Sequence, residues 1–420
     1  MNVLVVTTEF PWPPHSGGKA RTLGQLELIA SSGADITLVS HAEDPTTDAA
    51  FRSLEQHVES FGGRLRIVEP VPHAIHLRHR PWPLAKCVLR QLSRNEPFVA
   101  SKWANAKVKN HIASLLAAQP FDVVYLDHLG MAIYVGMIRK LEPALTIILE
   151  AHNVESDFFA QRAAVAHGWR KWPLQHEANT ATRFEANAVS GVDHVVAISS
   201  LDRDRLAALA KPVSGSQAKI SVVAPTADVA QPRSSPSGAS PTFGFLGTLS
   251  WKPNIDALNW LVVEVWPLVL AAHPDAKLLI AGNGLELDTN GRHVPPSSWL
   301  ARNVEILGYI ADPSGFYERL TGFVCPSRGG SGVRMKIVEA FAQRVPVVTN
   351  PDGAYGLEVT DRHELLIAGS AADFAARMLE LADDGHLAPS LTAAAAAYVN
   401  AHHSREAGLI TLLAVLGHSR

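Results

Sequence analysis

Arg334, Lys336 and Glu339 follow closely on Gly329, Gly330 and Gly332 in the stretch "RGGSGVRMKIVEA", residues 328–340. Glycines permit a ligand to approach the backbone closely, and the N–H groups at a helix start attract anions. Lys336, Glu339 and Gln343 fall at i, i+3 and i+7, so they share one helical face. Ile337, Val338 and Phe341 make the buried side. A cation at Arg334 opposes the helix dipole, at a cost of a few tenths of a kcal/mol. A bound anion such as a diphosphate would offset that cost. The plainer alternative is a Lys336–Glu339 surface pair, worth roughly 0.2–0.5 kcal/mol.

Other constellations have the same character. In "TTEFPWPPHSGGKART" a strand runs into a proline-rich loop, and Gly17-Gly18 opens a helix. That is an anion-binding geometry, or a strand-to-helix turn whose glycines serve packing. It lacks the G-x-G-x-x-G spacing, so no nicotinamide cofactor is indicated. His128 stands just past the strand "DVVYL", where it could bond a substrate hydroxyl, act as a base, or serve structure alone. Glu150, His152, Asn153 and Glu155 crowd the end of "LTIIL", and Asn153 could also cap the next helix. Gly247 and Thr248 end the strand "FGFLG", with Lys252 near. Gly282 and Gly284 form a tight turn after "AKLLIAG".

These residues need strands to carry them to one edge. Short apolar runs alternate with longer helical patterns through the whole chain: "VLVV", "ITLV", "LRIV", "DVVYL", "LTIIL" and "DHVVAI", then "FGFL", "AKLLIAG", "VEILG", "GFVCP", "PVVT" and "LLIA". Near-continuous apolar strands between helices suit parallel sheets covered on both faces. A Pro/Ser/Gly-rich break splits the series. The expected organisation is a doubly wound α/β domain over 1–227, a linker over 228–241, a second over 242–395, and closing helices over 396–420. Ligands in such folds sit beyond the carboxyl ends of the strands, so a cleft between the two domains is the expected site.

The 420 residues, 47% hydrophobic, supply material for two large cores. A net charge of −3 excludes a general nucleic-acid footprint. Cys87 and Cys325 stand far apart and suggest neither a disulfide framework nor a metal site. The N-terminus reads as a first strand rather than a leader, and no window approaches the ~20 apolar residues of a membrane span. The expected location is cytoplasmic. Residues 73–98, basic and carrying Trp82, read either as a solvated helical insertion or as a contact with an anionic or membrane-bound acceptor at the inner face of a membrane.

Taken in order, "PWPPHSGGKART", "HNVES", "GTLSWKPNIDALNW", "LLIAGNG", "VEILGYIAD" and "CPSRGGSGVRMKIVEAFAQRVPVVT" resemble the retaining GT-B glycosyltransferases of family four, the "group 1" type, over nearly the full chain. The resemblance implies transfer of a sugar from a nucleotide diphosphate sugar to an acceptor hydroxyl with retained anomeric configuration. It implies no metal and no cofactor beyond that co-substrate, and a role in glycan or glycolipid biosynthesis. The acceptor, a sugar, a lipid-linked molecule or a small molecule, would meet the first domain through His152 and Asn153. The donor would meet the second through Gly247, Thr248, Gly282, Gly330, Ser331 and Gly332. Glu339 would hold the ribose, His128 would sit by the reacting sugar, and Gly17 and Gly18 would approach a donor phosphate or the acceptor.

The chain departs from that family's pattern twice. Ser331 stands where the first glutamate of a pair is usual, and Thr248 replaces an arginine. Arg334 and Lys336 are therefore expected to contact the diphosphate. The loss at Ser331 also leaves open a non-catalytic nucleotide-sugar binding protein, or an epimerase of the same architecture.

Overall fold

The computed structural model describes residues 1–420 apart from 44–45, 75–80, 165, 169–170, 211–218, 233–239, 289–292, 330–331 and 418–420. The chain divides into two units, residues 1–225 with 406–420, and residues 226–405.

The first unit is built on seven parallel strands: β1 (Asn2–Thr7), β2 (Asp35–Val39), β3 (Arg64–Ile67), β4 (Val123–Asp127), β5 (Thr146–Ala151), β6 (His194–Ala197) and β7 (Lys219–Val222). Their order is β3-β2-β1-β4-β5-β6-β7. Successive side chains of a strand point to opposite faces. Leu4 and Val6 accordingly enter one core with Leu126 and Leu149, while Val3 and Val5 enter the other with Ile36, Tyr125 and Ile148. Every apolar run named above for this half is a strand. Of the seven strands in this sheet, the one missed is β7, a half-exposed sheet-edge strand in which Lys219 and Ser221 interrupt the apolar pattern.

The helices used below are α1 (Gly17–Ser31), α2 (Pro81–Arg94), α3 (Glu155–Ala164) and α4 (Lys171–Gly191) in this unit, and α5 (Lys252–Trp260) and α6 (Met335–Ala342) in the second. The last is α7 (Arg405–Gly417). Although α7 follows the whole second unit in sequence, its Leu412, Val415 and Leu416 are buried in the same cluster as Val3 and Tyr125.

The second unit has six parallel strands: β8 (Thr242–Leu246), β9 (Lys277–Ala281), β10 (Val304–Gly308), β11 (Gly322–Cys325), β12 (Val347–Thr349) and β13 (Leu366–Ile367). Their order, β10-β9-β8-β11-β12-β13, is the doubly wound arrangement, with its switch point between β8 and β11. Both sheets are thus parallel and α/β, as the alternation predicts.

Two expectations need adjusting. The helical run Lys252–Ala272 is long and apolar enough to cross a membrane by length and composition, contrary to the reading of the hydropathy. Its Leu258, Leu261, Val262, Val265, Trp266 and Val269 fill the second unit's core, which accounts for the composition. The run winds as a π turn over Leu261–Val265, just ahead of Pro267, which has no N–H to continue the ladder. The proline-rich break also begins as ordered chain. Ala230 N–H donates to the Ala342 carbonyl, Arg344 Nε donates to the Ala230 carbonyl, and Ala227 N–H donates to the carbonyl of His403.

Because α7 closes the first unit's core, Leu412→Ala should destabilise that unit by about 2–5 kcal/mol. Denaturant titration followed by circular dichroism checks this, and a loss below the noise of the titration would show α7 to be peripheral.

Candidate functional site

In the first unit, register places three polar residues side by side at the carboxyl edge of the sheet. Thr7 of β1 faces Asp127 of β4, which faces Glu150 of β5. Asp127 is 1% exposed and Glu150 fully buried. The hydroxyls of Thr7 and Thr22 each donate to Asp127 Oδ2 at 2.6 Å, and His152 Nε2 lies 2.6 Å from Oδ1. Arg21 Nε donates to Glu150 Oε1 at 2.5 Å, and the Tyr125 hydroxyl donates to Oε2 at 2.7 Å. Arg21 also donates to the Val223 carbonyl. Helix α1 is therefore pinned across the sheet end by Arg21 and Thr22.

Burial disfavours both ions of the Asp127–His152 pair, but their mutual attraction and the two hydroxyls outweigh it. The Asp127 carboxyl stays well below the usual range, and the imidazole of His152 is held above its ordinary value. Burial pushes Glu150 up, against the pull of Arg21. Asp127, Glu150 and His152 offer ligand atoms within 4.8 Å of one another, a spacing that suits a cation. Each carboxylate oxygen already accepts a hydrogen bond, that on Glu150 Oε1 coming from the Arg21 guanidinium.

His128 follows Asp127 with φ at +85°, a conformation rare outside glycine. The cause is local: its N–H reaches the Glu150 carbonyl at 3.0 Å while its Nδ1 accepts from the Gly130 N–H at 3.1 Å. Its Nε2 then lies 3.3 Å from Glu155 Oε1, and its ring meets that of His152 edge-on at 5.4 Å. Glu155 opens α3. The start of that helix is capped from α4, since Glu185 accepts the N–H groups of Glu155 and Ser156 and the Ser156 hydroxyl. Glu185 thus fills the capping role considered for Asn153, which is half-buried beside His152. Burial, eased by the Ser156 bonds, pushes the Glu185 carboxyl up to about 7.

Gly17 and Gly18 open α1 behind Ser16, whose hydroxyl accepts from the Lys19 N–H. A Cβ at Gly18 would meet nothing within 4 Å. Packing therefore does not require glycine there.

In the second unit the strand ends of β8 and β9 touch through glycine. A Cβ at Gly282, whose φ is +144°, would stand 1.7 Å from the Gly247 carbonyl oxygen. Lys336, at the second position of α6, lays its ammonium 4.1 Å above the Phe245 ring and donates to Asn254 Oδ1 at 3.1 Å. Asn254 donates in turn to the Thr248 carbonyl at 2.9 Å. A Cβ at Gly247 would come within 2.6 Å of the Lys336 nitrogen. The ammonium is thus turned to Asn254 rather than to Glu339. Burial and the nearby Arg334 lower its pKa, while burial raises that of Glu339 against the pull of Lys336.

Arg334 is turned inward instead of outward. Its guanidinium donates to Ser327 Oγ at 3.2 Å, to the Gly332 carbonyl at 2.9 Å and to the Gly329 carbonyl at 3.0 Å. These carbonyls compensate the cation at the helix start, and they give Arg334 the work of bracing the glycine turn. Gly329 and Gly332 have φ of +70° and +81°, where side-chain residues are strained. Gly330 and Ser331 lie outside the described residues.

The expected site residues therefore gather at two sheet edges. His128, His152 and Asn153 lie at one, with Gly17 and Gly18 after β1, and Gly247, Thr248, Gly282, Lys336 and Glu339 at the other. Glu150, already noted at the crowded end of its strand, joins the first cluster, while Asp127, Arg21, Phe245 and Asn254 belong to these clusters and are not among the candidate residues. A carboxylate ending a strand one position before a histidine is a signal for Asp127. The register that joins the others is invisible in a linear sequence.

Residues 240–384 match the family described as "Glycosyl transferases group 1". The chain is 22% identical over 389 residues, 90% of each protein, to an uncharacterized 44.6 kDa protein in the cps region of Klebsiella pneumoniae. It is 33% identical over 154 residues to a GDP-mannose-dependent monoacylated alpha-(1-6)-phosphatidylinositol monomannoside mannosyltransferase of Corynebacterium glutamicum, covering 34% of this chain and 40% of that one. Among solved structures, the Anabaena protein HepE in complex with UDP-glucose superposes with a TM-score of 0.64 at 15% identity, covering 99% of both chains.

Glu185 generates a pH signature. Folded, its carboxyl keeps its proton up to about 7; unfolded, it releases it near the ordinary 4.5. Over that window the folded state binds more protons, so stability should fall as pH rises from 4.5 to 7. Glu185→Gln should flatten this part of the curve of melting temperature against pH. An unchanged slope would mean the carboxyl is ionised throughout.

Proposed function

We propose a reaction for this chain, whose residues 240–384 match the group 1 glycosyltransferases and which has the GT-B fold: it moves a sugar from a nucleotide diphosphate sugar to an acceptor hydroxyl, with retention at the anomeric carbon. The observation that carries the reading is the Lys336 ammonium. It is half-buried at the strand switch point, beside a helix start, in a space that only a glycine at Gly247 leaves open. A cation so placed is suited to a phosphate.

The bond between the anomeric carbon and the diphosphate oxygen breaks, and negative charge collects on the leaving group. Lys336 and the first N–H groups of α6 stabilise that charge more in the transition state than before it. Arg334 holds the glycine turn in shape around the sugar. Glu339, one turn along α6, takes the ribose hydroxyls. This fixed cation and the helix N–H groups do the work that a divalent ion would otherwise do. The acceptor hydroxyl attacks from the face the diphosphate leaves and passes its proton to the departing diphosphate oxygen, which retains configuration. In the first unit, His152 and Asn153 bind the acceptor and His128 lies by the reacting sugar. The acceptor is a sugar, lipid-linked or small molecule, and the product belongs to glycan or glycolipid assembly. The named activities and ligands of the mannosyltransferase and of HepE support the donor class.

Lys336→Ala should lower turnover by about 10²-fold or more with little change in melting temperature; a normal kcat would remove the ammonium from the reaction. Glu339→Ala should raise the donor KM with a smaller effect on kcat, and steady-state kinetics against donor concentration tests the ribose contact.

A further inference from the structure

Strands β11 and β12 pair in parallel as far as Cys325 and Thr349. Main chain alone does not carry the ladder further. Pro326 follows the one and Asn350-Pro351 the other, and neither proline has an N–H to give. Ser327, just past the break, still needs partners for its N–H and its carbonyl. Asn350 supplies both from its side chain. Its Oδ1 accepts the Ser327 N–H at 2.9 Å, and its Nδ2 donates to the Ser327 carbonyl at 2.6 Å. A carboxamide offers an acceptor and a donor side by side, as a peptide unit does. Two residues on, Asp352 Oδ2 accepts the Gly329 N–H at 2.8 Å. Gly353 seats this loop. Its N–H bonds both the carbonyl and Oδ1 of Asn350, and a Cβ there would stand 2.0 Å from Thr349 Oγ1.

An Asn-Pro-Asp-Gly run is by itself an ordinary turn signal, and the polar side chains of a plain turn bond their own backbone. Here Asn350 and Asp352 each reach a residue 23 positions away. Both targets belong to the glycine turn. Arg334 takes other groups of the same two residues, since its guanidinium donates to Ser327 Oγ and to the Gly329 carbonyl. The turn, with Gly329 at a φ of +70°, is therefore tied to two separate elements, α6 and the loop after β12.

We propose that Asn350 and Asp352 are positioning residues for the donor, a clamp that holds the glycine turn in its binding shape before the sugar of a nucleotide sugar arrives. The inference rests on the donor reading given above and adds to it the residues that preset the turn. A turn that had to find this shape on binding would lower the affinity by the fraction of time it is competent. The loss should fall on the sugar. On that reading the diphosphate meets Lys336, which Asn254 and the Phe245 ring anchor separately.

Isothermal titration calorimetry on the full chain separates the two. A panel of UDP-, GDP-, ADP- and dTDP-sugars, each beside its nucleoside diphosphate, identifies the pair that the native chain binds. Asn350→Ala should weaken the nucleotide sugar about tenfold and leave the nucleoside diphosphate within about twofold of native. A merely structural loss would weaken both in step. Asp352 is exposed, so Asp352→Ala tests the same point should Asn350→Ala fail to fold. It should also weaken the nucleotide sugar selectively, and Asp352→Asn, which keeps an acceptor for the Gly329 N–H, should restore native affinity. The clamp is overturned if these alanine variants keep the native ratio of the two affinities, or if Asp352→Asn is as weak as Asp352→Ala. A native chain that binds no member of the panel overturns the donor reading itself, and the clamp with it.

Discussion

Contact between two backbones governs the second unit. The carbonyl of Gly247 stands so close to Gly282 that no side chain fits at the latter. That approach brings the ends of β8 and β9 together and frees the space above Gly247 into which Lys336 reaches. With a Cβ at Gly247 the ammonium would be crowded from its place over Phe245. A half-buried cation needs compensation. Here it comes from Asn254 and from the face of an aromatic ring, both of which leave the charge available to an anion.

The first unit solves a different problem. Its strand ends carry carboxylates where a parallel sheet would usually bury aliphatic side chains. Asp127 and Glu150 are adjacent in register, and two buried like charges so close must each be matched. His152 and the threonine hydroxyls match one, and Arg21 and Tyr125 match the other. The result is a rigid polar floor that fixes α1 against β4 and β5. Beside it, His128 is drawn into positive φ by its N–H bond to the Glu150 main-chain carbonyl and by the Gly130 N–H that its ring accepts. A residue held in a sparsely populated conformation by its surroundings is a common mark of a site under functional constraint.

Charge placement follows one rule in both units. A cation or carboxylate that appears misplaced in the linear sequence has a backbone partner in the fold. Arg334 opposes the dipole of α6, yet carbonyls of the glycine turn receive its guanidinium. Glu185 lies deep in α4, yet it caps α3. The turn around Gly329 is secured from the far side as well, because Asp352 accepts its N–H and Asn350 bonds both the N–H and the carbonyl of Ser327.

The sequence by itself determined the sheet strands other than β7, the parallel sheets and the glycine turns. Apolar runs such as "VLVV" and "AKLLIAG" have no other stable place than a sheet covered on both faces, and positive φ selects glycine at Gly329 and Gly332. It also singled out Lys336, because a cation behind a glycine turn is a local pattern. Tertiary structure alone decided the partners. Strand register, a property of pairs of strands, aligned Thr7, Asp127 and Glu150. Helix packing brought Asn254 to Lys336 across 82 residues and Glu185 to the start of α3. It likewise assigned α7 to the first core and turned the apolar run Lys252–Ala272 inward, since hydropathy measures the wish to leave water and not the surface that provides the shelter.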